Sequence, residues 1–126
     1  MSTRTIIAMQ TETGTYESAW CWNDGFPSIL GRDLRRYFKT ADQVHELLQT
    51  KSFSLLSGPI QVLKYVREGD KVVHLRNGRC LLLHPKDGHV VAGEGSQAEF
   101  LSVQDMLQED LNYVYIFENG KWQTWK

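Results

Sequence analysis

The chain has 126 residues, of which 41% are hydrophobic and 23% charged. These values are typical of globular proteins, so we expect a single domain over residues 1–126 that folds without metal ions or disulfide bonds. Lys and Arg number 14 and Asp and Glu 15, which gives a net charge of -1. Because proteins that bind nucleic acid usually carry a basic excess, the composition argues against that class.

The cysteines and the first residues bear on the compartment. Cys21 and Cys80 lie far apart, and a secreted scaffold of this length normally carries more cysteines. The first ten residues hold only a very short apolar stretch, which is unlike a signal peptide, and no segment is long enough to cross a bilayer. We therefore expect a cytoplasmic protein with free thiols and no membrane association.

The first half of the sequence predicts a hairpin followed by two helices. Strands are expected at 5–11 and 15–22, on either side of a Thr-Gly turn signal. The first helix is expected after Pro27, and the second begins at Thr40 in a capping box with Gln43. The predicted apolar face of the first helix is Leu30, Leu34, Tyr37 and Phe38. That of the second helix is Val44, Leu47 and Leu48.

The second half predicts mainly strands, with a loop at 52–59 and a helix capped by Ser102. The expected strands are 60–66, 72–75, 80–83, 89–92, 113–117 and 121–125. The run at 60–66 is short enough for either element type, and a strand is preferred there. Asn77 and Gly78 predict a type I′ turn. Together these elements predict an α+β fold, with an antiparallel sheet built from hairpins and two or three helices packed on one face.

The corner at 20–27 is the first candidate site, because it combines aromatic rings with a thiol and a carboxylate. Asp24 could bind a cation or accept a proton, and Cys21 could act as a nucleophile if a base lay nearby. A structural interpretation explains the same residues: Asp-Gly forms a turn, Pro27 starts the helix, and the rings pack the hairpin onto it. We prefer the structural interpretation.

Other candidate motifs are weaker. The four histidines, His45, His74, His84 and His89, match no standard spacing of metal ligands, so no metal is expected. The segment 93–98 fits the dinucleotide fingerprint G-x-G-x-x-A but lacks a visible βαβ context, so no cofactor is expected. A basic cluster is formed by Arg32, Arg35, Arg36 and Lys39, and most such clusters are solvated helix faces.

Two stretches also carry a family resemblance. The first stretch is Cys-Trp-Asn-Asp-Gly-Phe-Pro at 21–27, followed by Gly31, Leu34 and Tyr37. The second, at 113–122, is an aromatic strand with an Asn-Gly turn and a Lys-Trp ending. Together they resemble a family of small bacteriophage and prophage proteins. That family typically has His and Trp after the Cys, where this chain has Trp22 and Asn23. The segment from about 59 to 97 has no counterpart. The resemblance implies a phage or prophage protein in a bacterial cytoplasm, and no particular activity.

The leading hypothesis is a non-enzymatic phage or prophage accessory protein that binds a host protein. A surplus of aromatic residues, a near-neutral charge and the absence of an assembled catalytic set favour it. The predicted contact region is Trp22, Asp24, Phe26, Arg32 and Arg36. The alternative is a binding protein or enzyme for a nucleotide or phosphorylated metabolite, with Cys21, Asp24 and the arginines around one pocket. A third, disfavoured hypothesis is direct nucleic-acid binding.

Overall fold

The structure is a computed structural model that describes residues 2–84, 100, 102–107 and 111–125. The strands within this part are β1 (Ser2–Gln10), β2 (Tyr16–Asn23), β3 (Ser52–Phe53), β4 (Leu55–Ser57), β5 (Lys71–His74), β6 (Cys80–Leu83), β7 (Tyr113–Glu118) and β8 (Lys121–Trp125). A π-helical turn, Pro27–Gly31, continues directly into the first helix. The helices are α1 (Arg32–Tyr37), α2 (Ala41–Leu48), α3 (Pro59–Leu63) and α4 (Val103–Leu107).

The larger sheet has five strands in the spatial order β3-β2-β1-β7-β8. The two hairpins predicted for these strands are confirmed, because β1 is antiparallel to β2 and β7 is antiparallel to β8. The sheet also contains parallel pairs, β1 with β7 and β2 with β3. The predicted α+β class is confirmed. The sheet is mixed because β7, the first strand of the last hairpin, lies parallel to β1. Hairpin signals in the sequence predict only antiparallel neighbours.

The second, smaller sheet is antiparallel, with the spatial order β4-β6-β5, and contains the predicted hairpin. The type I′ turn predicted there is wrong, because the connection is a three-residue loop, 76–78, in which Gly78 has a φ of 87° and Asn77 has no positive φ. The Asn77 side chain donates instead to the carbonyl of Tyr37, at 2.8 Å, and so ties the loop to α1. The Asn-Gly pair at 119–120 has positive φ at both residues, 52° and 75°, as a type I′ turn requires.

Helices cover both faces of the larger sheet. Ile7 of β1 faces a core that includes the buried sides of α1 and α2. Its neighbours Ile6 and Ala8 face the opposite way and pack with Phe100 and with Met106 of α4. Adjacent residues of a strand point to opposite faces, so a central strand with apolar residues on both needs two covering layers. Two helices, α1 and α2, thus pack on one face as predicted, and α4 covers the other.

The segment from 52 to 66 differs from its prediction in two places. The strand expected at 60–66 is wrong, because α3 occupies Pro59–Leu63 and only Val62 of that helix is buried. Proline at the first helical position lacks only an N–H that would be unpaired there. The expected loop at 52–59 contains β3 and β4, which pair with β2 and β6.

The predicted helix caps are confirmed. Thr40 Oγ1 accepts the N–H of Gln43 at 3.2 Å, while Gln43 Oε1 accepts the N–H of Thr40 at 3.2 Å. Ser102 Oγ accepts the N–H of Asp105 at 3.2 Å, ahead of α4. The strand predicted at 89–92 and the glycine motif at 93–98 lie outside the described residues. No helix in the described ranges has the length and apolarity needed to span a bilayer.

Candidate functional site

Cys21, the nucleophile considered in the sequence, is buried in the core with 1% of its surface exposed. Its thiol donates to the carbonyl of Asn23 at 3.3 Å. Burial raises the pKa of Cys21 to about 12, and the charge of Asp24 adds to the rise. At neutral pH the thiol is protonated and enclosed, so it supplies no thiolate for nucleophilic chemistry.

This burial predicts a loss of stability at alkaline pH. Because the pKa of Cys21 is raised from 9.0 to about 12 by folding, the unfolded chain releases the thiol proton first as the pH rises. The stabilisation is therefore complete below pH 9 and is lost progressively between pH 9 and pH 12. Between pH 8 and pH 10 the Cys21 contribution to the free energy of unfolding should fall by about 1.4 kcal/mol. Urea unfolding at both pH values measures it.

The control for this experiment is Cys21→Ala, which removes the titrating group. The variant should lose about 1.4 kcal/mol less than the native chain over the same pH interval, although it is less stable at both pH values. Equal losses in the two proteins would show that the Cys21 thiol does not titrate as its burial requires.

Gly25 explains why the Asp-Gly-Phe-Pro corner has its sequence. The backbone N–H of Gly25 donates to Thr3 Oγ1 at 2.7 Å, and its carbonyl accepts from the Tyr115 hydroxyl at 2.7 Å. A Cβ at position 25 would lie 2.0 Å from Thr5 Oγ1, closer than any side chain allows. The corner is thus pressed against β1, and the structural interpretation accounts for its glycine.

The two aromatic residues of the predicted contact region are half-buried and take part in packing. Trp22 stacks on Trp20 with 5.4 Å between the ring centroids, and its Nε1 donates to Ser52 Oγ at 2.7 Å. Phe26 meets Tyr113 edge to face, with 6.3 Å between centroids. Each ring keeps an exposed part, but these contacts also give each a structural role.

The two arginines of the predicted region, Arg32 and Arg36, are exposed on α1. Between them, Asp33 points inward and binds Arg79, the residue directly before β6, through two contacts, at 2.6 and 3.2 Å. Asp24 lines a cavity whose walls include none of the other four predicted residues. The five predicted residues therefore do not form the pocket that the ligand hypothesis placed around Asp24 and the arginines.

That cavity is an open cleft of about 490 Å³ between the end of β2 and the second sheet, which we call the β2–β6 cleft. It is lined by Asn23, Asp24, Ser54, Leu55, Tyr65, Arg67, Leu82 and His84. The set combines a carboxylate, a guanidinium, an imidazole and an aromatic ring with two leucines. Ligand sites commonly show this mixture of apolar walls and a few polar groups.

Asp70 organises the cationic side of the cleft. Its side chain is only 1% exposed, and Oδ2 accepts the backbone N–H of Arg67 at 2.7 Å. The same oxygen lies 3.8 Å from Arg67 Nε and 2.5 Å from His84 Nδ1. One buried carboxylate thus binds the Arg67 backbone and lies within ion-pair distance of both the guanidinium and the imidazole.

The opposite side of the cleft is fixed by the end of β2. Asn23 donates its backbone N–H to the Ser54 carbonyl at 2.9 Å and its Nδ2 to Ser54 Oγ at 2.7 Å. The next residue, Asp24, has a φ of 57°, the left-handed conformation that Asp tolerates better than most residues. This conformation belongs to the turn that brings Asp24 to the cleft.

Beside the cleft lies an exposed apolar segment, which we call the α3 surface: Ile60, Leu63, Tyr65 and Val66. Their exposed fractions are 71%, 60%, 59% and 40%. The four lie within seven residues, and Tyr65 also lines the β2–β6 cleft. Concentrated exposure of large apolar side chains is uncommon on a monomeric protein and marks interaction sites.

Sequence reasoning missed this surface and most of the cleft. The sequence signal for the α3 surface is the apolar run at 60–66, which the predicted strand would have placed in a sheet. Asp70 and Arg67 belong to no motif, and their roles depend on contacts with β6. Among the described residues, no group of three or more His, Cys, Asp or Glu side chains is placed to hold a metal ion.

Comparisons with protein families, with curated proteins and with solved structures gave no match to this chain.

Proposed function

We propose that this protein is a non-enzymatic protein-binding module that docks a partner on the α3 surface. The exposure of four large apolar side chains within seven residues carries this proposal. Burying such side chains against a partner would remove apolar surface from water and so contribute favourably to the free energy of binding. The proposal moves the contact region from Trp22, Phe26 and the α1 arginines to α3, and leaves Asp24 at its border.

The α3 surface is presented on a fixed support. Val62, on the inner side of α3, is fully buried with Leu55, Cys80 and Leu82 of the second sheet. The short helix therefore has an anchored face and an apolar outer face. A preorganised surface of this kind loses little conformational entropy when a partner docks.

The charges around the surface favour one kind of partner. Lys64, Arg67 and Lys71 are exposed here, whereas the carboxylate of Asp70 is 1% exposed and faces inward. Among the charges that reach solvent, only Glu68 opposes them in this stretch. We therefore infer a partner segment that places apolar side chains next to acidic ones. The resemblance to phage and prophage proteins supports a bacterial host protein in the cytoplasm as that partner.

Leu63→Glu tests the proposal, because it puts a charge in the middle of the surface at a position that is 60% exposed. Tagged native chain and variants are used to isolate partners from bacterial lysate, and the retained protein is then purified and its Kd measured. We expect Leu63→Glu to weaken binding at least about tenfold, with a thermal midpoint close to that of the native chain.

The matched control is Trp125→Glu, which places the same charge on β8 at an apolar residue that is 39% exposed. It should leave the Kd unchanged. The proposal fails if Leu63→Glu and Trp125→Glu weaken binding equally, or if Trp22→Ala or Arg36→Ala abolishes binding while Leu63→Glu does not. Concentration-dependent dimerisation that Leu63→Glu removes would identify a second copy of this chain as the occupant, and would also overturn it.

A further inference from the structure

We propose that the β2–β6 cleft binds a nucleoside monophosphate. This assigns a small-molecule site beside the docking surface and does not depend on the proposed protein partner. Such a ligand presents a flat base, sugar hydroxyls and a dianionic phosphate. The cleft offers a group suited to each, in a volume of about 490 Å³, which lies within the usual range of ligand pockets.

Arg67 is the group suited to the phosphate. The buried carboxylate of Asp70 accepts the Arg67 backbone N–H at 2.7 Å, which fixes the backbone, and it lies 3.8 Å from Arg67 Nε. The Arg67 side chain is 54% exposed, and it lines the cleft. A guanidinium matches the geometry of phosphate oxygens and does not lose its charge at physiological pH.

His84 adds an imidazole to the lining of the cleft. Its side chain is 10% exposed, and Nδ1 lies 2.5 Å from Asp70 Oδ2. Burial and this contact restrict the imidazole before any ligand arrives. Pre-oriented polar groups bind a ligand at a lower entropic cost than mobile surface side chains do.

Asp24 and Tyr65 suit the remaining parts of the ligand. The carboxylate of Asp24 can accept hydrogen bonds from sugar hydroxyls or from an exocyclic amino group of the base. The ring of Tyr65, 59% exposed and at the rim, can stack on the base. Leu55 and Leu82 add apolar walls below. The size of the cleft and the ring of Tyr65 together favour a nucleotide over inorganic phosphate alone.

A second hollow, of about 600 Å³, lies between α2 and the 76–78 loop, but it lacks a comparable support. Its imidazole, His45, has a side chain that is 60% exposed and contacts Glu17 on the surface. Among the described residues, this hollow has no buried carboxylate that corresponds to Asp70 of the β2–β6 cleft. The cleft is therefore the stronger candidate.

Isothermal titration calorimetry with AMP, GMP, CMP and UMP tests the proposal, with adenosine, ribose 5-phosphate and inorganic phosphate as partial ligands. We expect at least one nucleotide to bind with one molecule per chain and a Kd below about 1 mM. Each matching partial ligand should bind at least about tenfold more weakly, because it lacks the stacking or the phosphate contact.

Arg67→Gln and Tyr65→Ala should each weaken that binding at least about tenfold. Arg76→Gln is the matched control, since Arg76 is also an exposed arginine whose Nε lies near a carboxylate, 3.9 Å from Glu46. It should bind like the native chain. Leu63→Glu should also retain nucleotide binding, which separates this proposal from the protein-docking one. Circular dichroism checks that each variant is folded.

Chemical-shift mapping on the native chain gives a readout that needs no variant. The largest shifts on adding the nucleotide should fall on Asn23, Ser54, Arg67 and His84. The proposal is overturned if no nucleotide binds below about 1 mM. It is equally overturned if inorganic phosphate binds as tightly as the nucleotide, if Arg67→Gln and Arg76→Gln weaken binding equally, or if the shifts map elsewhere.

Discussion

Replacing Tyr115 with Ala is expected to lower the free energy of unfolding by about 3–5 kcal/mol. Tyr115 is fully buried in β7, at the centre of the core beneath α1 and α2. Its ring lies against Gly31, where a Cβ would be 3.2 Å from Tyr115 Cε1, and its hydroxyl donates to the Gly25 carbonyl at 2.7 Å. The substitution would leave a cavity and an unpaired buried carbonyl together. Urea unfolding followed by tryptophan fluorescence measures the loss.

Tyr115→Phe separates the two causes. It keeps the ring and removes only the hydroxyl, so the expected loss is about 1–2 kcal/mol, the cost of an unsatisfied buried acceptor. If Tyr115→Phe and Tyr115→Ala lose the same free energy, the hydrogen bond to Gly25 and not the packing dominates. A loss below about 1.5 kcal/mol for Tyr115→Ala would contradict the central place of this ring in the core.

Removing either partner of the Asp33–Arg79 pair is expected to cost about 2–3 kcal/mol. A fully buried pair would cost about 3–5 kcal/mol, but these side chains are 12% and 18% exposed, so solvent screens part of the interaction. Burial raises the pKa of Asp33, while its contacts with Arg79 oppose that rise. Arg79 also lies 4.0 Å from the centroid of the Tyr37 ring. Urea unfolding of Asp33→Asn and of Arg79→Met gives the two losses.

The double variant distinguishes this pair from an ordinary surface contact. Asp33→Asn combined with Arg79→Met should lose about 1–2 kcal/mol less than the sum of the single losses, because no charge is left buried alone. Arg76→Met is the control, since the Arg76 side chain is 96% exposed in its pair with Glu46, and it should leave stability unchanged. Additive losses at Asp33 and Arg79 would mean that the pair is not coupled.

The parts of the fold that the sequence predicts correctly depend on neighbours in the chain. The capping box of Thr40 and Gln43, the two Asn-Gly hairpins and the cap at Ser102 are all local arrangements. The parallel pairing of β1 with β7 depends instead on residues far apart, and no local signal encodes it. The run at 60–66 was too short for its period to decide between strand and helix, and its side chains remained exposed.

The candidate sites show the same division. Of the predicted contact residues, Asp24 lines the cleft, because it directly follows β2 and has a left-handed φ of 57°. The rest of the cleft comes from Ser54, from the segment 65–70 and from the end of β6, brought together by the second sheet. Arg67 and His84 gain a shared role only through Asp70, which folding buries. Residue type alone could not single out three residues that meet in this way.

The place of β1 between β2 and β7 has a consequence for biosynthesis. Thr5 pairs with Tyr113, 108 positions later. While the ribosome is still making the intervening chain, β1 can pair with β2, but its other edge has no partner. Contacts between residues so far apart in sequence form late. Until then the unpaired edge of this apolar strand is prone to aggregate. Nascent chains of this protein should therefore depend on chaperones until β7 has emerged.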